Sequence, residues 1–225
     1  MTFSLLGRCA RTGMLGAVVT TSSMAVGSRC PAVRAGVGAA LSQSRTDPRL
    51  GPIMIELMAR GFTARQALDA TVAGTPHSAW RQLAALDAAG ATASFSGARV
   101  NPAIGEAQGR DCVAIANIVR STDLPRAMVH AFEADPALPL PERLLSAILA
   151  GEAAGGEFVP LASAALLVAH QQDFPYVDLR VDDHPAPLNE LARLWHAYAP
   201  LAEDYVLRAL QPGEIAAYQP PPPKP

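Results

Sequence analysis

The residues at the amino end of the chain have the types and spacing needed for nucleophilic catalysis. The sequence begins Met1-Thr2-Phe3-Ser4 and continues into an apolar segment. A small residue after the initiator methionine permits its removal, which would leave Thr2 with a free α-amine beside its own hydroxyl. Because a hydroxyl is a weak nucleophile until a base takes its proton, such a threonine carries nucleophile and base together. The pattern predicts that Thr2 acts as a nucleophile; the alternative is an ordinary start to a strand.

Other polar residues are candidates for the surroundings of Thr2. Asn117 lies in the apolar segment 113–119, where a buried amide must be hydrogen-bonded to avoid a desolvation cost. Asn117 is therefore predicted either to stabilise an oxyanion or to bind a neighbouring backbone group. Ser4 shares the face of Thr2 if both lie in a strand. The predicted substrate-binding residues are Ser4, Thr21, Ser22, Ser23, Arg34 and Gln43.

A second polar cluster, near the carboxyl end, offers a different chemistry. Asp178, Asp182 and His184 carry ligand atoms that could hold a hard cation, which would make the protein a metal-dependent hydrolase. Arg180 stands among these carboxylates and supplies the counter-charge that a metal would otherwise provide. We therefore expect a charge ladder along one strand face, with no metal and no cofactor.

The amino-terminal elements position the hydroxyl groups. Residues 3–9 and 14–21 are predicted as two strands joined by a turn. If that turn is tight, the pairing register places Thr2 opposite Thr21. The hydroxyl cluster 20–23 then lies beside the predicted nucleophile.

The other elements are predicted from periodicity and from turn and capping residues. Strands are predicted at 35–43, 83–86, 91–95, 113–119, 164–169 and 177–182, and helices at 52–61, 63–74, 125–134, 141–154 and 187–198. The order lacks the steady alternation of a doubly wound fold and favours an α+β class, with helices on the outer faces of antiparallel sheets. We expect one domain at 1–210 and a disordered proline-rich tail at 211–225.

Composition narrows the possible partners. Half of the 225 residues are apolar, 17% are charged, and the net charge is −2, which argues against nucleic acid and polybasic membrane partners. The three cysteines form no CxxC pair, which is typical of reduced thiols in a cytosolic protein. Arg8 and Arg11 interrupt the first apolar run, so no signal peptide is predicted and a cytoplasmic location is expected. The low charge favours a homodimer or larger homo-oligomer.

Several motifs together resemble one bacterial family. They are Cys9-Ala10-Arg11-Thr12-Gly13, Thr20-Thr21-Ser22-Ser23, Arg34-Ala35-Gly36-Val37-Gly38, Thr46-Asp47-Pro48-Arg49, Ser163-Ala164-Ala165-Leu166 and Val177-Asp178-Leu179-Arg180. The chain resembles the domain of unknown function 1028 family from Thr2 to Tyr205. The resemblance implies an N-terminal-nucleophile (Ntn) hydrolase fold, a four-layer α-β-β-α sandwich whose strand-borne N-terminal residue attacks amide bonds. The implied substrate is a small amide or peptide-like metabolite.

The chain departs from the implied pattern at two places. The family often has a histidine before the Ser-Ala-Ala-Leu run, where this chain has Ala162. Many Ntn enzymes place a basic residue beside the nucleophile, but the single lysine of this chain is Lys224 in the tail. These departures keep open a second interpretation, a non-catalytic ligand-binding or assembly protein on the same fold.

Overall fold

Two antiparallel sheets form the centre of the protein. The structure is a computed structural model that describes residues 1–214. Its strands are β1 (Thr2–Arg8), β2 (Leu15–Thr21), β3 (Pro31–Arg34), β4 (Gly38–Ser44), β5 (Arg81–Asp87), β6 (Thr92–Ser96), β7 (Ile104–Gly109), β8 (Cys112–Asn117), β9 (Ser163–Ala169) and β10 (Val177–Val181). Its helices are α1 (Leu50–Ala59), α2 (Ala64–Gly74), α3 (Leu124–Glu133), α4 (Leu140–Ala153), α5 (Pro187–Tyr198) and α6 (Ala202–Leu210). The predicted tail lies outside the described residues from 215 onward.

The strand β1 occupies the middle of the larger sheet. The order of that six-stranded sheet is β10-β9-β2-β1-β8-β7, and the smaller sheet has the order β3-β4-β5-β6. The hairpin pairs Phe3 with Thr20 and Arg8 with Leu15, which confirms the predicted register. Strand β1 pairs with β2 from Phe3 onward and with β8 from Thr2 onward, so its first residue lies within the sheet.

The two faces of β1 contact different parts of the core. Phe3 and Leu5 pack with residues of α3 and α4, on the outer side of the six-stranded sheet. Leu6, on the opposite face, packs with Leu41 of β4 in an apolar cluster between the two sheets. Because side chains alternate along a strand, Thr2 and Ser4 share the inward face of Leu6.

Helices pack on the outward face of each sheet. Helices α1 and α2 contact β4, β5 and β6, whereas α3 and α4 contact β1 and its neighbours and α5 contacts β9 and β10. Helix α2 begins at the predicted capping box, in which Thr63 and Gln66 bind each other's backbone N–H groups. The chain is thus a mixed α and β protein with two antiparallel sheets. Among the described helices, none has both the length and the apolar character needed to cross a bilayer.

Three elements differ from the predictions. The segment predicted as one strand at 35–43 is instead the second half of a hairpin, with β3 before it and Gly36 at φ +68° in the turn. Strand β7 was not predicted, because Glu106 and Gln108 interrupt its apolar character at the sheet edge. Helix α6 follows the helix predicted as the last one.

Candidate functional site

Thr2 lies where three strands of the large sheet end together. It is the first residue of β1, is 6% exposed and pairs directly with Asn117 at the end of β8. On its other side, the Thr2 Oγ1 lies 3.3 Å from the Oγ1 of Thr21, the last residue of β2. Directly opposed residues in an antiparallel pair share one face. The structure therefore brings Thr2, Thr21 and Asn117 together on the side of the sheet that faces β4 and β5.

The two threonine hydroxyls converge on one carbonyl group. Both Thr2 and Thr21 donate a hydrogen bond to the backbone carbonyl oxygen of Met1. While Met1 is present, the Thr2 nitrogen is part of an amide and cannot act as a base. Removal of Met1 would give Thr2 a free amine at this position and would leave both hydroxyls without their common acceptor.

A buried chain of amide side chains lies beneath Thr2 and links the two sheets. Ser4 Oγ donates to Gln43 Oε1 at 2.7 Å, and Gln43 Nε2 donates to Gln82 Oε1 at 2.7 Å. Asn117 Nδ2 donates to the same Gln82 oxygen at 3.0 Å. All four side chains are buried, so this network fixes the spacing of the sheets at the Thr2 end. Ser4, Gln43 and Asn117 are predicted site residues, whereas Gln82 is not among the residues predicted from the sequence.

The side-chain atom of Asn117 that lacks a hydrogen-bond partner among the described residues is its oxygen, a hydrogen-bond acceptor. Its Oδ1 is buried and has no hydrogen-bond partner among the described residues, while its Nδ2 is engaged by Gln82. An oxyanion requires a donor, so this arrangement suits Asn117 to bind an N–H group or an ammonium.

Glu157 is a further carboxyl group at this site that the sequence analysis did not select. It is 5% exposed, and its Oε2 accepts the Ser22 N–H at 3.0 Å, whereas its buried Oε1 has no partner among the described residues. Burial raises the pKa of Glu157 to about 7, and the contact with Ser22 and the positive amino terminus act against that rise. A bridge to Val119 and a 2.8 Å hydrogen bond from Arg120 Nε to its carbonyl oxygen hold the residue beside the sheet.

The sequence contains one feature that could have identified Glu157. The residue follows Gly155-Gly156 and precedes Phe158, so it is an isolated acid between a glycine pair and apolar residues. Both glycines have positive φ, at +128° and +59°, which turns the chain back toward β8 after α4.

The remaining predicted binding residues lie at different distances from Thr2. Ser22 contributes its backbone N–H to Glu157, and Ser23 is exposed, with its carbonyl accepting from Ser163 Oγ at 2.6 Å. Arg34 lies at the other end of the small sheet, where it pairs with Gly38 and forms a 2.9 Å ion pair with Glu56. Gly38 is separated from Gln43 by about 17 Å of strand, so the structure does not bring Arg34 to Thr2.

Of the charge ladder predicted for the carboxyl-terminal cluster, the described residues show the pair of Asp178 with Arg180; Asp182 lies beyond the end of β10 and forms no ion pair among them. Asp178 accepts two hydrogen bonds from Arg180, at 2.8 and 2.9 Å. The Nδ1 of His184 accepts the backbone N–H of Ala186 at 3.0 Å. In the described part of the chain, no group of three or more His, Cys, Asp or Glu side chains is placed to hold a metal.

Comparison with known proteins identifies the family of this chain and structures that it resembles. The sequence profile of DUF1028, a family of unknown function, matches residues 2–191. The crystal structure of a Silicibacter pomeroyi protein assigned to DUF1028 matches with a TM-score of 0.82 and 31% identity, covering 88% of this chain and 86% of that chain. Anbu (ancestral beta-subunit) from Yersinia bercovieri matches with a TM-score of 0.40 and 9% identity, covering 95% and 100%. Among curated protein sequences, none matches this chain.

Proposed function

The chain belongs to the DUF1028 family of unknown function, and from this premise we propose that it is an Ntn amidohydrolase. In this proposal Thr2, freed by removal of Met1, cleaves an amide bond in a small amide or peptide-like metabolite, and the sheets with their outer helices form a four-layer α-β-β-α sandwich. One observation carries the proposal. The Thr2 hydroxyl lies at the buried end of a central strand, faces the other sheet and donates to a carbonyl oxygen.

The proposed reaction begins with proton transfer within Thr2. The free α-amine accepts the hydroxyl proton, directly or through a water, and Oγ1 bonds to the substrate carbonyl carbon. The amide C–N bond breaks as the amine leaving group takes up a proton, and water then hydrolyses the threonine ester to release the acid. General-base assistance of this kind contributes roughly two to four orders of magnitude in rate.

Thr21 is the proposed donor to the reacting carbonyl. Its hydroxyl already donates to the Met1 carbonyl oxygen, beside the Thr2 hydroxyl. A substrate carbonyl that takes the place of the Met1 carbonyl would therefore meet a donor at its oxygen. Such a donor stabilises the negative charge that develops as the nucleophile attacks.

Glu157 and Asn117 are the proposed acceptors for the Thr2 amine. Each has one buried oxygen without a partner among the described residues, and both belong to the end of the sheet that Thr2 occupies. An ammonium group has three donors and can satisfy both oxygens. This arrangement would orient the amine without the basic neighbour that many Ntn enzymes use.

The test compares two hydroxyl deletions within one hairpin. Thr2→Ala should lower turnover in an amide library by at least about 1000-fold, because it removes the attacking atom. Thr2→Ser should retain part of the activity. Thr12→Ala, in the exposed turn of the same hairpin, is the matched control and should leave turnover unchanged. Equal turnover by Thr2→Ala and the unaltered protein, both with native circular dichroism, would contradict the proposal.

A non-catalytic ligand-binding protein is the second candidate. It rests on Met1: while Met1 is attached, the Thr2 nitrogen belongs to a peptide bond and cannot act as the base. The intact mass of protein purified without an amino-terminal tag separates the two candidates. Loss of one methionine would expose the Thr2 amine and support catalysis, whereas a full-length mass would support binding without catalysis.

A further inference from the structure

A cavity lies at the opposite end of β1 from Thr2. It has a volume of about 490 Å³, and we call it the arginine cavity. Its lining includes Cys9, Arg11, Arg110, Asp111, Glu133 and Arg143. Strand β1 separates it from Thr2 by about 20 Å, so it is distinct from the site described above.

Arg143 is the buried cation of the arginine cavity. It projects from α4, is 6% exposed, and donates through Nε to the carbonyl oxygen of Phe132 at 3.0 Å. Its guanidinium carbon lies 3.8 Å from the centroid of the Phe132 ring. Within residues 1–214, its Nη groups make no hydrogen bond and no ion pair.

The two carboxylates that line the cavity, Asp111 and Glu133, form their contacts with groups other than Arg143. Asp111 Oδ1 lies 2.6 Å from Arg8 Nη1, and Glu133 Oε1 accepts the backbone N–H of Arg110 at 2.6 Å. Arg11, at the rim, donates to the carbonyl oxygen of Ala137 at 2.9 Å, a contact that leaves its charge uncompensated. Positive charge therefore exceeds negative charge around the cavity.

A buried cation without a counter-charge is unfavourable unless another group supplies one. Burial also lowers the pKa of Arg143, although an arginine stays protonated at neutral pH. Asp111 offsets part of the Arg143 charge through space but forms no ion pair with it, so the Nη groups can take an acceptor from outside the described chain. The cavity is large enough to admit one.

We infer that the arginine cavity binds an oxyanion, namely the phosphate or carboxylate group of a small metabolite. Arg143 is the buried anchor, and Arg11 and Arg110 close the rim. The planar guanidinium group of arginine can donate two parallel hydrogen bonds to the oxygens of either a phosphate or a carboxylate, so the site is suited to both oxyanions. The inference does not depend on the function proposed for Thr2.

Isothermal titration calorimetry of the full chain tests the inference. One arm uses sodium phosphate and the other sodium succinate, which distinguishes a phosphate group from a carboxylate group as the bound oxyanion. At low ionic strength we expect saturable binding of one anion per chain in at least one arm. Arg143→Met should weaken that binding by at least about tenfold, because a charge-assisted hydrogen bond is lost. Arg65→Gln is the control: Arg65 pairs with Asp69 on an exposed face of α2 and should leave affinity unchanged.

If Arg143→Met does not fold, the exposed rim residues provide a second test. The double variant Arg11→Gln/Arg110→Gln alters exposed side chains and should also weaken binding by at least about tenfold. Lack of saturable binding in both arms would overturn the inference. Equal affinity in the unaltered protein and in a folded cavity variant would overturn it as well.

Discussion

Burial of Glu157 disfavours the ionised form of its carboxyl group. Its carboxyl group is 5% exposed, and burial raises its pKa to about 7 from an ordinary 4.5. The folded protein therefore holds a proton that the unfolded chain releases in the same pH range. The resulting contribution to stability is complete below pH 4.5 and is lost as the pH rises through about 7.

Glu157→Gln should remove this pH dependence. The glutamine keeps an oxygen for the Ser22 N–H but carries no charge, so the variant should gain up to about 3 kcal/mol over the unaltered protein at pH 8 and nothing at pH 4. Urea denaturation across that pH range measures the difference. Glu56→Gln, at an exposed carboxylate, is the control. An unchanged pH profile in Glu157→Gln would show that the carboxyl group is not held protonated by burial.

The pairing of Thr2 with Thr21 could be predicted from the sequence, because a tight turn fixes the register of the strands on both sides of it. The position of Glu157 beside Thr2 could not be predicted, because its segment has no periodic pattern and is held by contacts with Val119 and Arg120, which are distant in sequence. The role of Asn117 was left open for a similar reason, since only its neighbour across the sheets decides which amide atom is free.

Strand β1 and helix α3 approach each other closely at Gly7. A Cβ atom at this position would lie 2.5 Å from Cε2 and 2.6 Å from Cζ of the buried Phe132 ring. The same ring lies against Arg143, so it has little freedom to move. The absence of a side chain at Gly7 is therefore required for this packing.

Gly7→Ala should lower the free energy of unfolding by about 1–3 kcal/mol, the usual cost of adding a methyl group to a filled core. Urea denaturation measures this change. Gly74→Ala is the matched control, because nothing lies within 4 Å of the added atom at the end of α2. That variant should be neutral or slightly more stable. Equal stability of both variants would mean that α3 can shift away from β1.

Elements with local patterns were predicted more accurately than elements defined by their partners. The capping box at Thr63 is a local arrangement and is present as predicted. Strand β7 has its Glu106 exposed and depends on β8 for its conformation, so its sequence alone does not indicate a strand. The strand β3 is similarly short and partly exposed.

At the scale of the whole molecule, the order of elements predicted antiparallel sheets with helices on their outer faces. The order of strands within the large sheet was not predicted, because β1 pairs with β8 across most of the first half of the chain. Long-range pairing of this kind depends on the assembled core rather than on local patterns.

Self-association remains a prediction from the low charge of the chain. Apolar side chains such as Phe158 and, on α6, Leu207 and Leu210 are exposed in the single chain, which is consistent with a covered surface. Sedimentation equilibrium should give a mass of at least twice the 23.5 kDa of one chain. A mass of one chain at all concentrations would contradict the prediction.

The central place of β1 also determines the time at which its first residue becomes enclosed. Strand β8 begins at Cys112 and Glu157 follows later, so both are synthesised long after Thr2. At ribosomal rates, synthesis from Thr2 to Glu157 takes roughly 10–30 s. Until β8 has been synthesised, the amino end has β2 as its one neighbour in the large sheet and is open to an aminopeptidase. Under the proposed function, Met1 must therefore be removed before β8 and the segment that contains Glu157 enclose the amino end.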